Sequence, residues 1–240
     1  MFGFGTILNC IAIVAGGLLG MLFGRFLNSR LQDGLTKACG VSVLFIGIAG
    51  AMEKMLGVQG NSLTSSGTML VVGCLALGTL LGELINIEAA FERFGQWLKQ
   101  KTGNAKDGGF VDAFVNASFT VCIGAMAIVG SIEDGIRGNW SILAAKAILD
   151  LIIIMMMTCA MGKGCLFSAI PVGLLQGAVT LLAKILQPLM TDKAMWNVSM
   201  IGSILIFCVG VNLVWGKKLR VANMLPAVLL AIAAAFLPFF

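Results

Sequence analysis

Apolar runs broken by short polar punctuation occupy most of the chain. Eight of them, at 5–24, 38–53, 66–84, 110–130, 140–161, 165–187, 196–215 and 222–238, approach the length of a membrane-crossing helix, which needs about 20 predominantly apolar residues. The run at 38–53 is short, and 110–130 is rich in small and polar residues. Only Met161-Gly162-Lys163-Gly164 divides the fifth run from the sixth. The pattern therefore predicts an all-α polytopic membrane protein of about eight spans, with seven as the alternative count. It is read as one integral-membrane domain over 1–240.

Between the third and fourth runs the period changes. Ile87, Phe91, Phe94 and Trp97/Leu98 recur at helical spacing, while Glu88, Glu92, Lys99 and Lys101 fall on the other face. This predicts an interfacial helix over 87–101, with Trp97 at headgroup level; docking onto a partner protein is the sharper alternative. The segment 102–109 that follows is polar and glycine-containing, and is expected to be a flexible loop.

Small residues also recur at period four: Ala12, Gly16, Gly20 and Gly24 in the first run, and Cys74, Gly78 and Gly82 in the third. Such rows let helix backbones approach closely in lipid. They serve either packing within the chain or, for the first row, a seam between copies. Internal similarity adds a further expectation. Leu44-Phe45-Ile46-Gly47-Ile48 echoes Phe207-Cys208-Val209-Gly210-Val211, Thr68-Met69-Leu70 echoes Asn223-Met224-Leu225, and Gly16 can be matched with Gly177. Runs 1–3 and 6–8 would then be repeats offset by five crossings. An odd offset inverts them, which is a common transporter design. Chance likeness among apolar segments is the competing explanation.

Composition narrows the functional classes. Of 240 residues, 59% are hydrophobic and 11% charged, against about 25% charged in soluble domains. The formal net charge of +5 does not point to nucleic acid, because the basic residues lie between apolar runs. Arg25, Arg30, Lys37, Arg93, Lys99, Lys101, Lys106, Lys163, Lys217, Lys218 and Arg220 fall on one side of the eight-span arrangement. Lys54, Arg137, Lys184 and Lys193 fall on the other. The richer side is expected to be cytoplasmic, which puts both termini outside. The uncharged start at 1–4 followed by Arg25 and Arg30 is the reverse of a signal peptide. With no histidine in the chain, Ser-His triads, HExxH zinc sites and haem-ligating histidine pairs are excluded. The seven cysteines form no CxxC pair and suit small apolar packing residues. No enzyme activity, metal or cofactor is expected.

One apolar run carries an anomaly. Lys146 and Asp150 lie four residues apart inside 140–161, where each charge costs at least ~2.5–3.5 kcal/mol on insertion scales. The spacing places them on one helix face. They form either a static pair that holds helices in register or a site for a solute, an ion or a proton relay. Asn9, Asn116, Ser118, Gln176 and Asn212 are the further polar positions at membrane depth chosen as candidate lining. Asn116, Ser118 and Thr120 alternate at spacing two, so local unwinding is one way to gather them beside a cavity. Hydrogen-bonding between packed helices is the other. Gly130-Ser131-Ile132-Glu133-Asp134-Gly135 reads as a solvated acidic turn, and Pro171 as a kink. Intramembrane aspartyl chemistry needs two acids at depth, and Asp150 alone fits that description.

Several of these blocks resemble a known family. They are Gly138 to Asp150, Ser168-Ala169-Ile170-Pro171 with Gln176, and Val221-Ala222-Asn223-Met224-Leu225-Pro226-Ala227. Gly5-Thr6-Ile7-Leu8-Asn9, Gly16-Gly17-Leu18-Leu19-Gly20 and the acidic block at 130–135 also fit. They resemble bacterial inner-membrane proteins catalogued as domain of unknown function 554. The resemblance implies a cytoplasmic-membrane protein of seven or eight spans, sometimes described as a transport protein, with no substrate assigned. Lys146 and Asp150 match its Lys-x3-Asp block. The reading is a secondary transporter or channel for a small solute or ion. The alternative is a non-transporting scaffold or sensor in the bilayer that oligomerises through its glycine-rich helices.

Overall fold

A computed structural model of the chain describes residues 3–60, 62–122 and 125–237. Positions 123–124, inside the run at 110–130, lie outside the described residues. So do residue 238 at the end of the last run and residues 1–2 of the uncharged start.

The long helices are α1 (Phe4–Gly24), α2 (Ser29–Met55), α3 (Thr68–Ile85), α7 (Ser141–Met161) and α10 (Asp192–Trp215). A 3-10 turn at Lys163–Ser168 leads into α8 (Ala169–Leu181). These give six stretches long and apolar enough to cross a bilayer. The bent pair α5 (Phe110–Cys122) and α6 (Ala125–Arg137) makes up to seven. Shorter elements are α4 (Ile87–Lys101), α9 (Ala183–Leu186), α11 (Val221–Met224) and α12 (Pro226–Ala234). Exposed apolar side chains such as Ile7, Ile11, Leu18, Leu77, Leu84, Ile148, Leu174 and Leu229 form a lipid-compatible outer surface.

Three expected boundaries change. The second run lengthens to a 27-residue helix, because Asn28 caps it by accepting from the Leu31 amide and the polar first turns carry a Lys37–Asp33 pair. The fourth run is divided between two helices, α5 and α6, inclined at 61° to each other, and α6 carries it on to Arg137. The segment after α2 is a hairpin of β1 (Leu56–Gln59) and β2 (Ser62–Ser65). The last turn of α2 that leads into it is tied to α10, where Trp196 donates to the Lys54 carbonyl and the Lys54 ammonium lies 4.5 Å from the Trp196 ring centroid.

Glycine sets the helix spacing. On α1, a Cβ at Gly20 would stand 2.5 Å from the Met155 carbonyl oxygen, and one at Gly16 would collide with that of Leu151. The α1 row is therefore filled by α7 inside the chain and is not free to form a seam between copies. Register advances in the same sense on both helices, so α1 and α7 run parallel. The second row behaves alike: Gly78 and Gly82 face Ala227 and Asn223, with α3 antiparallel to α11–α12. The echoed motifs of α2 and α10 meet each other. A Cβ on Gly47 would sit 2.5 Å from the Phe207 amide, and one on Gly210 2.7 Å from the Leu44 amide. Gly177, by contrast, faces open space, so it does not share the packing role of Gly16.

Between α3 and α4, Asn86 adopts a left-handed conformation (φ 55°) and accepts from the Ala89 amide. It thus ends one helix and caps the next. The apolar side of α4 lies on α5, through Phe91–Phe119 and Phe94–Phe114 contacts at 4.9 and 5.9 Å between ring centroids. Trp97 stays exposed.

Candidate functional site

The central cluster is built by three segments. On α7, the Lys146 ammonium lies 2.5 Å from Asp150 Oδ2, one turn away, with both side chains at most 9% exposed. Close packing of α1 on α7 brings a short amide within reach: Asn9 Nδ2 donates to the same Asp150 oxygen at 3.0 Å. Lys146 Nζ also donates to the Val121 carbonyl at 2.8 Å. Val121 lies on α5 close to the bend between α5 and α6. Lys146 therefore neutralises Asp150 and ties α7 to the backbone of α5 at once.

The structure divides the candidate residues. Asn9, Lys146 and Asp150 are directly bonded. Gln176 is buried on α8 with neither amide atom hydrogen-bonded. Ser118 is buried and donates to the Phe114 carbonyl of its own helix. Thr120 and Asn116 likewise bond four residues back, to Asn116 and Asp112 carbonyls. This stretch is regular helix, so unwinding does not gather the three polar side chains. The break falls after Cys122.

Asn116 and Asn212 belong to a different place. With Glu88, Glu92, Asp112 and Lys217 they line a pocket of about 90 Å³ near the starts of α4, α5 and α11. Asn212 clamps the loop after α10, donating to the Leu219 carbonyl and accepting from the Lys218 and Leu219 amides at 2.8–2.9 Å. Glu88, expected on a polar outer face, is buried. It pairs with Lys217 at 3.1 Å, and its Oε2 accepts from the Ala222 amide at the start of α11. Burial pushes the Lys217 ammonium down, but hydrogen bonds to Glu92 and Glu88 and their charges outweigh it and raise its pKa above the ordinary lysine value.

The block at 130–135 is not a solvated turn. It lies within α6, and Ser131 and Asp134 are fully buried. Asp134 Oδ2 accepts from the Gly5 amide at 2.9 Å, capping the first turn of α1. Asp134 is thus a second acid inside the helical body, which the sequence reading missed. The signal was the i, i+3 spacing of Ser131 and Asp134 between two glycines. Gly130 and Gly135 allow α6 to pack directly on Leu143 of α7 and Thr180 of α8.

Comparison with known proteins agrees with this architecture. The chain is 27% identical over 227 residues to "Uncharacterized membrane protein YdfK" of Bacillus subtilis, covering 95% of this chain and 93% of that protein. It is 29% identical over 231 residues to "Uncharacterized protein YqgA" of Escherichia coli, covering 95% and 94%. No solved structure matches. The family described as "Protein of unknown function (DUF554)" matches residues 4–236, so this polytopic, helical membrane protein belongs to that family.

Proposed function

We propose that the protein is a secondary transporter or channel for a small solute or ion, with Lys146, Asp150 and Asn9 at the centre of its site. The observation that carries the reading is the Lys146 ammonium bonded to both Asp150 and the Val121 backbone carbonyl, beside the 61° bend between α5 and α6. Broken helices that present backbone carbonyls to charged groups at membrane depth are how transporters build ion and solute sites. Lys146 would receive an anionic group when Asp150 is released, and Asp150 a cation.

The topology that supports this is eight crossings with both termini outside the cytoplasmic membrane of a bacterium. Parallel packing of α1 and α7 requires an odd number of crossings between them. Only if α5–α6 crosses along with α2 and α3 is that met. The antiparallel run of α11–α12 along α3 supplies the eighth. Close contact between the echoed motifs around Gly47 and Gly210 supports an inverted repeat whose two-fold axis passes between α2 and α10.

The deep burial of the pair favours a second reading, a scaffold in the bilayer whose Lys146–Asp150 bridge locks α1, α5 and α7. Purified protein in liposomes on a solid-supported membrane separates the two. Under challenge with panels of small carboxylates, amino acids and inorganic ions, wild type should give solute-evoked currents that Asp150→Asn abolishes while remaining folded. Currents unchanged by Asp150→Asn, or their absence across the panels, would leave the lock as the better reading.

A further inference from the structure

Asp150 and Asp134 are treated very differently by the fold. Asp150 has an ammonium beside it. Asp134 is 0% exposed, and its Oδ2 accepts from Gly5 while its Oδ1 has no hydrogen-bond partner. Among the described residues no cationic side chain pairs with it; the nearby Arg137 is bound to Glu133. Buried carboxylates in proteins are paired with a cation or coordinate one, because an isolated one is among the costliest groups a fold can hold.

Its neighbours point to what that is. Gly135 packs against Thr180, Gly130 meets Leu143, and Asp134 meets Gly5 at the start of α1. The last turn of α8 approaches that same end, so α6 and α8 both run toward it and Ser131 lies near the level of Gln176. On α1, Cys10 meets Gly173 and Gly17 meets Leu166. This antiparallel register brings Thr6 to the height of Gln176 and Gly177. Thr6 Oγ1, Ser131 Oγ, Gln176 Oε1 and Thr180 Oγ1 are all buried, and none has a hydrogen-bond partner. Three helices thus turn unpartnered oxygens toward one seam, around a carboxylate with a free oxygen. Buried polar groups are otherwise satisfied nine times in ten or more.

We propose that Asp134, Thr6, Ser131, Gln176 and Thr180 form a binding site for a monovalent alkali cation of the sodium class, where the N-terminal end of α1 meets the C-terminal halves of α6 and α8. The donor set decides the ligand. It is all oxygen, with no thiolate or imidazole, which selects a hard cation over a transition metal. It carries a single carboxylate, which balances one positive charge, whereas dedicated calcium sites use several acidic oxygens. The site lies about one turn, ~6 Å along α1, from the Asn9–Asp150 bond. Cation binding stands on these contacts alone. Its role as the coupling ion rests on the transporter reading.

The test is binding of radioactive 22Na+ to the purified full chain in a scintillation-proximity assay. Wild type should bind saturably, with displacement by excess NaCl and not by choline chloride. Asp134→Asn, which keeps an acceptor for the Gly5 amide, should lose binding. Thr6→Val and Ser131→Ala, which remove no existing hydrogen bond, should each weaken it by about tenfold, the scale of one contact to a charged group. Glu133→Gln, on the adjacent ion-paired residue, should leave it unchanged. No saturable binding to wild type would overturn the proposal, as would binding indifferent to Asp134→Asn. Should Asp134→Asn misfold, indifference to both Thr6→Val and Ser131→Ala would overturn it equally. Solute-evoked currents without 22Na+ binding would break this site and spare the transporter reading; binding without currents would do the reverse.

Discussion

Two lysine–carboxylate clusters hold this molecule, and they differ in what surrounds them. Lys146–Asp150 lies within one helix and is sealed on all sides, with side chains 9% and 4% exposed. Lys217 joins Glu88 and Glu92 across elements at the edge of the helical body, with its own side chain 46% exposed. Both clusters also bind helix ends: Lys146 the last turn of α5, Glu88 the first turn of α11. At the edge, water reaches Lys217 and Glu92, and the buried Glu88 keeps the Ala222 amide when the lysine is removed. In the interior water reaches neither charge, so charge there is tolerable only as a complete set.

The sharpest way to break that contrast is Lys146→Met. It strands Asp150, and losing one member of a buried pair costs about 3–5 kcal/mol. Thermal unfolding in detergent, followed by labelling of buried cysteines such as Cys165 and Cys208, should show a large drop in midpoint. The double variant Lys146→Met/Asp150→Leu should recover most of it. A double variant no more stable than the single would mean that the Val121 contact, not the pair, holds the segment.

A smaller effect tests the seam beneath the pair. Gly16→Val inserts side-chain atoms against the Leu151 carbonyl and should cost about 1–3 kcal/mol, the usual range for overpacking. Gly177→Ala, facing open space, is the control. Equal melting of the two variants would remove the α1/α7 contact as the support of Asn9.

The smallest change belongs to the edge cluster. Lys217→Ala should cost at most ~1 kcal/mol, and less at 1 M salt, where screening acts over about 3 Å. Because its folded pKa is raised, the Lys217 contribution is fully present below the unfolded value of about 10.4. It is lost as pH climbs through the higher folded value. Wild type and variant should therefore converge in strongly alkaline buffer. A Lys217→Ala deficit as large as that of Lys146→Met would erase the distinction between edge and interior.

Much of the fold was legible because lipid imposes a simple rule of length and apolarity. The runs containing α1, α3, α7 and α10 follow it. The Lys146/Asp150 partnership was legible for a related reason: i, i+4 spacing is a property of one helix. Asn9 could be nominated as polar at depth, but its bond to Asp150 spans 141 residues, and no local pattern encodes that. The break after Cys122 was hidden because Asn116, Ser118 and Thr120 satisfy themselves within the helix. Asp134 was mistaken for a loop acid because glycines flank its block. Here they serve close helix approach rather than a turn. Asn116 and Asn212 carried the same polar signal as Asn9, yet tertiary packing sends them to the edge pocket.

Parallel packing of α1 against α7 has a consequence for biosynthesis. Helix α1 leaves the ribosome before α7 and finds this partner only after about 141 further residues are made, a wait of roughly 7–30 s at ~5–20 residues per second. During that interval the glycine face of α1 must be sheltered by lipid or by the insertion machinery. The charged helix that completes it enters last of the pair, when Asn9 is already waiting to receive Asp150. The order of synthesis thus delivers the amide donor for Asp150 before that costly charge itself.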